Sequence, residues 1–447
     1  MKVNLSIFKS YDIRGVYPRE LDEKTAYKIG QVFIEYTKAK KVVIGQDMRL
    51  SSPALFEALA KGITAQGSDV YDIGQVPTEG MYFAVGHYNY QAGIMITASH
   101  NPKEYNGFKL IRKEGKRVQL IRGKDMISIV KKGSSQKTKK FGEIKELDIW
   151  QDYLNHIFSF INVNKIKPFK IVVDAGNGMA GKVIPLIERK LPVKITSLNF
   201  DLDGNFPVHP SNPLLEGAAD EISREVREKK ADFGFIFDGD ADRIFLIDEL
   251  GNFIRGDVTI LLLAKYFLEK YPGKGVAYNL ICSKAVPEFI KKWGGRPIRT
   301  SVGFVNVQKG MIENDGIVSG EVSGHFAFRD NYYLDSGFIA FLVLLQTISV
   351  LGKKVSEIIT ELSPYTKSAE INFEVEDKEA ILNKIRKHFS DGKQNYLDGV
   401  TVEYDNWWFN VRPSNTEPLV RLTIEAENQE LLEEKKKELT ALIKKER

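Results

Sequence analysis

The feature that most constrains the fold is one strand pattern that occurs three times along the chain. The first strand of each set is short and β-rich: Val42–Gly45, Ile171–Gly176 and Gly275–Tyr278. A second strand follows in each set: Val70–Ile73, Lys194–Leu198 and Pro297–Thr300. The third strands run directly into polar loops: Ala92–Ile96, Phe233–Phe237 and Gly316–Ser319. Because open α/β sheets bind ligands at the carboxyl ends of their strands, three such loops facing a common space predict one composite site.

The chain length predicts several domains. A chain of 447 residues is too long for one hydrophobic core and should form about three or four domains. A change of character near Ser363 indicates a smaller last domain, which ends in an amphipathic helix. We therefore predict an α/β protein with three related mixed-sheet domains and a smaller C-terminal α+β domain around a central cleft. The predicted boundaries are 1–146, 147–250, 251–363 and 364–447.

Charge and cysteine content exclude several classes of partner. The balance of 64 basic and 59 acidic side chains leaves a net charge of +5 without a concentrated basic block, so we expect no nucleic-acid partner. The one cysteine, Cys282, cannot form an internal disulfide, and the first residues lack a signal-peptide pattern, so we expect a cytoplasmic protein. The apolar run Phe338–Leu345 is too short for a membrane span and is predicted to be a buried helix.

The loop after the first third strand, Thr97–Pro102, combines a hydroxyl with candidate proton carriers. Ser99 is followed by His100, and Lys109 lies a few residues further on. Free serine is a weak nucleophile and needs such neighbours to be activated. The alternative is a serine that only caps a helix or a turn.

The second loop, Asp238–Arg243, places carboxylates at alternate positions: Asp238, Asp240 and Asp242. Such oxygen ligands suit a hard cation, magnesium or calcium. An EF-hand is disfavoured because Arg243 stands where that motif needs glycine. A solvated acidic turn does not explain why three carboxylates crowd beside a buried strand, where their repulsion needs a cation.

Three further segments offer polar contacts. The third loop, Gly320–His325, carries Glu321, Ser323 and His325, which suit sugar hydroxyls, although a glycine-flanked turn would look similar. A segment of the last domain has the composition of a phosphate cradle, although a proline-bounded turn is an equal alternative; its polar residues are Arg412, Ser414, Asn415 and Thr416. Near the N-terminus Arg14 can reach an anion.

Taken together, these segments resemble the α-D-phosphohexomutase family, and the resemblance covers essentially the whole chain. The phosphoserine loop, the metal loop, the sugar loop and the phosphate loop all match in the family's order, which is a specific signal. The Gly-Glu-x-Ser-Gly-His form of the sugar loop is most similar to the phosphomannomutase/phosphoglucomutase branch.

The resemblance implies reversible phosphoryl transfer between C6 and C1 of glucose and mannose phosphates. Ser99 would carry the phosphoryl group, and a hexose 1,6-bisphosphate would be both intermediate and activator. One Mg²⁺ per site would be held by the three aspartates and Ser99. His100, Lys109 and Arg14 would be catalytic. The implied substrate contacts are Tyr11, Arg243, Lys284, Glu321, Ser323, His325, Arg412, Ser414, Asn415 and Thr416.

Several alternatives remain open from the sequence. Phe304 stands where many relatives carry a polar residue, which puts one substrate contact in doubt. A phosphoglucosamine mutase is the alternative within the family; outside that activity stand a non-catalytic sugar-phosphate-binding protein of the same fold and a phosphatase with Asp238 as nucleophile. We expect small-molecule hexose phosphates as partners, no membrane, and a monomer or homodimer.

Overall fold

The computed structural model describes residues 3–115, 117–132, 140–414 and 419–444. The chain divides into two compact units. Unit 1 comprises Met1–Arg255 and Ser323–Ser356, and unit 2 comprises Gly256–Val322 and Glu357–Arg447.

Unit 1 opens with a seven-stranded sheet in the order β1-β5-β4-β2-β3-β7, with β6 paired to β5. Its strands are β1 (Ile13–Val16), β2 (Lys41–Gln46), β3 (Asp69–Gln75), β4 (Ala92–Ile96), β5 (Tyr105–Glu114), β6 (Arg117–Ile121) and β7 (Ile144–Glu146). The helices of this part are α1 (Glu23–Thr37), α2 (Ser52–Thr64), α3 (Thr78–His87), α4 (Ile127–Lys132) and α5 (Trp150–Phe158). Helix α1 begins where the Asp22 side chain accepts a hydrogen bond from the Thr25 amide at 2.8 Å.

The second sheet of unit 1 has the order β12-β11-β10-β8-β9. Its elements are β8 (Lys170–Asp174), α6 (Ala180–Glu188), β9 (Lys194–Leu198), α7 (Asp220–Glu228), β10 (Phe233–Phe237), β11 (Ile244–Ile247) and β12 (Phe253–Ile254). Strand β10 is buried along its whole length, as expected for a strand covered on both faces.

The chain then enters unit 2 and returns. In unit 2 lie α8 (Gly256–Lys270), β13 (Gly275–Asn279), α9 (Ala285–Lys292), β14 (Arg296–Thr300), α10 (Phe304–Glu313) and β15 (Gly316–Gly320). Unit 1 then contributes β16 (Phe326–Phe328), β17 (Leu334–Asp335) and α11 (Gly337–Leu351). Helix α12 (Val355–Leu362) spans the point where the chain passes back into unit 2.

The threefold recurrence predicted from the sequence is confirmed. In each case the first strand is central, with the second strand on one side and the third on the other, and all three are parallel. The sets are β3-β2-β4, β9-β8-β10 and β14-β13-β15. The third strand of each set therefore delivers its polar loop to the same edge of its own sheet.

The last part of unit 2 is a six-stranded sheet covered by two helices. Its elements are β18 (Thr366–Lys367), β19 (Ile371–Glu374), α13 (Lys378–His388), β20 (Lys393–Asn395), β21 (Val400–Glu403), β22 (Trp407–Pro413), β23 (Leu419–Ala426) and α14 (Gln429–Lys444). The predicted terminal amphipathic helix is present, and its Leu432, Leu439 and Ile443 are buried in the core. Arg412 and Pro413 end strand β22 and do not belong to the predicted turn, because both pair with β23.

The apolar run beginning at Phe338 is a buried helix, as predicted. Helix α11 is capped by Ser336, whose hydroxyl accepts from the Ile339 amide at 2.9 Å, and by Gly352 in the left-handed conformation. Among the described residues no single helix is long and apolar enough to cross a membrane; one bent pair, Gly337–Leu351 with Val355–Leu362, passes that test jointly, by length and composition only.

Candidate active site

Strand β4 delivers Ser99 in a strained backbone conformation. Its φ is +50°, in the left-handed region that costs a residue with a side chain about 1–2 kcal/mol. The Ser99 amide donates to Thr97 Oγ1 at 2.8 Å, and the hydroxyl donates to Asp238 Oδ2 at 3.2 Å. The loop thus presents a buried serine hydroxyl directly to the carboxylates that follow β10.

The three aspartates after β10 form one buried cluster. Asp238 and Asp240 are fully buried and Asp242 is 1% exposed. One carboxylate oxygen from each lies within 4.8 Å of the others. Burial and the charges of Asp242 and Asp240 raise the pKa of Asp238 well above its usual range. The Oδ1 atoms of Asp240 and Asp242 are buried and have no hydrogen-bond partner.

These observations fit a divalent cation. Buried carboxylate oxygens without donors are costly, and a hard cation with oxygen ligands removes that cost. The residues that follow β10 therefore suit the predicted metal loop chemically, and together with the Ser99 hydroxyl they would supply four oxygen ligands.

Lys109 supplies the positive charge that the cluster contains in this structure. From strand β5 its Nζ lies 2.7 Å from Asp240 Oδ2 and also contacts Asp242 Oδ2. Burial lowers the pKa of Lys109, but the two carboxylates outweigh that effect and raise it well above its usual value. The Lys109 side chain is therefore a fixed cation.

His100 and Arg243 define the other side of the serine. The Arg243 guanidinium lies 3.4 Å from Asp238 Oδ2 and donates to His100 Nδ1. A guanidinium has no acceptor, so Nδ1 carries no proton and the neutral ring is protonated on Nε2. Burial, with the charges of Arg243 and Arg14, lowers the pKa of His100 well below its usual value. Ser99 Oγ lies 3.2 Å from the same Nδ1.

Arg14 reaches this loop from β1. Its guanidinium donates to Asn101 Oδ1 at 2.7 Å and pairs with Asp12 at 2.5 Å, and its buried Nε has no hydrogen-bond partner. The charge of Arg14 is therefore held two residues from the nucleophile. Tyr11 is 41% exposed.

Unit 1 also brings His325 and Ser323 to the carboxylate cluster. Ser323 Oγ lies 3.0 Å from His325 Nδ1, and His325 Nε2 lies 3.5 Å from Asp242 Oδ1. A β-bridge joins Arg243 to His325, which fixes the two loops side by side. Burial and the charge of Arg243 lower the pKa of His325 well below its usual value, so its imidazole is neutral. His325 also groups with Asp242 and Asp335 within 4.8 Å.

Unit 2 holds Glu321 and Lys284. Glu321 is 4% exposed, and its Oε1 accepts from Asn279 Nδ2 at 3.1 Å and from the Gly303 amide at 3.2 Å. Lys284 precedes α9, and its Nζ donates to the Asp405 carbonyl at 3.1 Å. Its ammonium is thereby held against the last domain of this unit, and its role as a substrate contact stays a prediction.

The predicted phosphate loop lies partly in the described residues of unit 2. Arg412 pairs with Glu370 at 2.7 Å, and its Nε is buried without a hydrogen-bond partner. The Ser414 amide donates to the Leu419 carbonyl at 2.9 Å. Asn415 and Thr416 lie outside the described residues.

Sequence reasoning missed three buried residues beside the serine and the carboxylates. Arg49 donates to four backbone carbonyls of the Ser99 loop, including that of Ser99 itself at 2.8 Å. Thr78 Oγ1 donates to Asp240 Oδ2 at 2.5 Å. Glu79, 2% exposed, accepts from the Tyr153 hydroxyl. Arg49 follows the carboxyl end of β2 and Thr78 comes shortly after that of β3, so the strand-end rule applied to every strand would have marked them.

Comparison with known proteins identifies four family domains in order. The family models named Phosphoglucomutase/phosphomannomutase match as alpha/beta/alpha domain I over residues 5–137, domain II over 151–251, domain III over 255–365 and the C-terminal domain over 370–442. The predicted fold class, three α/β domains and a smaller fourth domain, is confirmed. The exact boundaries stay predictions.

Individual relatives match along almost the whole chain. A phosphomannomutase of Vibrio cholerae is 38% identical, with 99% of each chain covered. A protein of Xanthomonas campestris named phosphohexose mutases is 36% identical, with 99% of this chain and 100% of the relative covered. The crystal structure of a phosphoglucomutase/phosphomannomutase family protein from Burkholderia thailandensis superposes with a TM-score of 0.90 at 30% identity, covering 99% and 98% of the two chains. The chain belongs to the phosphoglucomutase/phosphomannomutase family of α-D-phosphohexomutases.

Proposed function

We propose that the enzyme catalyses reversible transfer of a phosphoryl group between C6 and C1 of glucose and mannose phosphates. The observation that carries this proposal is the Ser99 hydroxyl, held within hydrogen-bond distance of Asp238 in a buried cluster of carboxylates. A mutase must keep the phosphoryl group on the protein between two transfers, and this serine is a suitable carrier.

In the first transfer the oxygen–phosphorus bond of phosphorylated Ser99 breaks as a hydroxyl of the hexose monophosphate bonds to phosphorus. The product is the hexose 1,6-bisphosphate, which turns over within the site. In the second transfer Ser99 takes the other phosphoryl group. Mg²⁺ held by Asp238, Asp240, Asp242 and Ser99 would withdraw charge from the phosphoryl group when bound.

Proton transfer falls to the neutral imidazoles. Lys109 is a fixed cation and can only donate, so it stabilises negative charge at the transferring group. His100 and His325 are neutral and can accept the proton of the attacking hydroxyl. Arg14 and Arg243 supply further positive charge beside Ser99.

Substrate recognition is assigned to the remaining predicted residues. Glu321 and Ser323 bind the 3- and 4-hydroxyls, which glucose and mannose share, while His325 completes that loop. The predicted contacts to the non-reacting phosphate are Arg412, Ser414, Asn415 and Thr416, with Lys284 and Tyr11 as further contacts. Without a buried partner made for the 2-hydroxyl, discrimination between the two sugars is modest. We place the enzyme in the cytoplasm as a monomer or homodimer.

The test is a coupled mutase assay on glucose 1-phosphate, mannose 1-phosphate and glucosamine 1-phosphate. We expect turnover of both neutral sugars and lower kcat/KM for glucosamine 1-phosphate. Ser99→Ala should lose turnover and phosphopeptide mass, whereas Ser6→Ala, an exposed serine, should keep both. A glucosamine value well above both neutral sugars would reassign the substrate, and full activity in Ser99→Ala would end the relay mechanism.

A further inference from the structure

Arg49 is a fully buried arginine that the proposed reaction does not use. It is 1% exposed and follows the carboxyl end of β2. We infer that Arg49 is a positioning residue for Ser99: it fixes the backbone of residues 99–105, so that the serine hydroxyl stays directed at the carboxylate cluster. This inference rests on the proposed function of Ser99 as the phosphoryl carrier.

The guanidinium uses its two terminal nitrogens entirely on this loop. One nitrogen donates to the carbonyls of Pro102 at 2.8 Å and Tyr105 at 3.0 Å. The other donates to the carbonyls of Ser99 at 2.8 Å and Asn101 at 2.7 Å. A lysine ammonium has three donors and no planar fork, so it cannot reproduce four such bonds.

The loop needs an external support of this kind. Ser99 has a φ of +50°, which its own side chain disfavours. The backbone hydrogen bonds closing the turns here are Asn101 to Ala98 at 3.0 Å and Tyr105 to Pro102 at 3.1 Å. Strained conformations persist where the surroundings determine them fully, and Arg49 supplies the largest set of such contacts on the page.

Arg49 is itself held from two sides. Its Nε lies 3.2 Å from Asp47 Oδ2, and Asp47 Oδ1 accepts from the Arg49 amide at 3.0 Å and from Ser52 Oγ at 2.9 Å. The Phe206 ring lies 5.1 Å from the guanidinium carbon. A methyl group at Gly239 would lie 3.5 Å from that ring and 2.9 Å from the Ser99 carbonyl. Arg49 therefore stands where the nucleophile loop and the metal loop meet.

The test compares Arg49→Lys and Arg49→Met with wild type. Phe33→Leu is the control, since Phe33 is fully buried in the same sheet domain but lies in helix α1. We expect both Arg49 variants to lose about 100-fold in kcat, the order reached when a reacting group is misplaced by about 1 Å, with KM for glucose 1-phosphate nearly unchanged. The lysine variant should fail as badly as the methionine variant, because geometry and not charge is lost. Phe33→Leu should lower the melting temperature and leave kcat unchanged.

Hydrogen exchange provides a readout independent of turnover. Both Arg49 variants should exchange faster than wild type in residues 97–106, while α1 keeps its protection. Inactive wild-type protein would refute the proposed function, yet faster exchange in 97–106 would still support this positioning role. Wild-type kcat in Arg49→Lys, a rise in KM alone, or unchanged exchange in 97–106 would overturn it. If neither Arg49 variant folds, Asp47→Asn removes the charge that pairs with Nε; it should lower kcat at constant KM, and unchanged kcat would refute the inference.

Discussion

Replacing Lys109 by methionine tests the electrostatics of the carboxylate cluster most directly. The Lys109 ammonium pairs with Asp240 and Asp242, whose side chains are 0% and 2% exposed. Methionine keeps the unbranched shape of the side chain but removes its charge. The change leaves the three buried aspartates with Arg243 as the remaining cation in contact with Asp238 among the described residues.

The expected magnitude follows from burial. Removing one partner of a buried ion pair costs about 3–5 kcal/mol in the free energy of unfolding. Lys61→Met is a matched control, because Lys61 pairs with Glu57 on the surface with side chains 67% and 71% exposed. Exposed pairs spaced in this way on a helix contribute about 0.3–0.5 kcal/mol. The two identical substitutions should therefore differ roughly tenfold in their effect on stability.

Urea unfolding in EDTA and in magnesium separates the two contributions. In EDTA Lys109→Met should unfold at much lower urea than wild type, while Lys61→Met should overlay it. Added magnesium should stabilise Lys109→Met more than wild type, because a bound cation then carries the full neutralising charge. If Lys109→Met is as stable in EDTA as Lys61→Met, the buried carboxylates are not held by this lysine and the reasoning is wrong.

Three further changes probe the surroundings of the site. Thr78→Val removes the hydrogen bond to Asp240 and should weaken Mg²⁺ binding about 10–100-fold by calorimetric titration, the usual effect of losing a partner of a metal ligand; an unchanged affinity would show that Thr78 does not orient Asp240. Burial raises the pKa of Glu79 from 4.5 to about 8, so its contribution to stability is complete below pH 4.5 and is lost as the pH rises through 8; melting temperatures of Glu79→Gln should fall less over that interval than those of wild type. Arg412→Ala should lower kcat/KM by about 10–100-fold, corresponding to about 1.5–3 kcal/mol for a hydrogen bond to a charged group, and an unchanged value would make that segment only structural.

The sequence predicted the strands and their loops well, because each depends on local pattern. The runs at Val42, Ile171 and Gly275 are short, β-rich and followed by polar residues, and all begin central strands. Loops that carry several polar residues together, such as that of Asp238, were also found. The signal in these cases is contained within about ten residues.

What the sequence could not provide is the support that comes from distant residues. Arg49 and Thr78 stand alone in their segments, and their partners lie 50 to 53 and 162 positions further on. Lys284 was predicted to contact substrate, yet its ammonium binds the Asp405 carbonyl, a contact that sequence spacing cannot reveal. Arg412 was predicted on a turn, whereas seven residue pairs with β23 extend β22 through Pro413.

The contacts of Asp240 have a consequence for the order in which the chain acquires function. Thr78 and Lys109, separated from it by 162 and 131 positions, reach its carboxylate from the first sheet. During synthesis the ribosome must release β10 and the loop behind it before either partner is satisfied, and closure over such distances is entropically slow. Cation affinity therefore reports the docking of two separately folding stretches, and a substitution at their junction would appear in an assay as a metal defect while each stretch stayed folded.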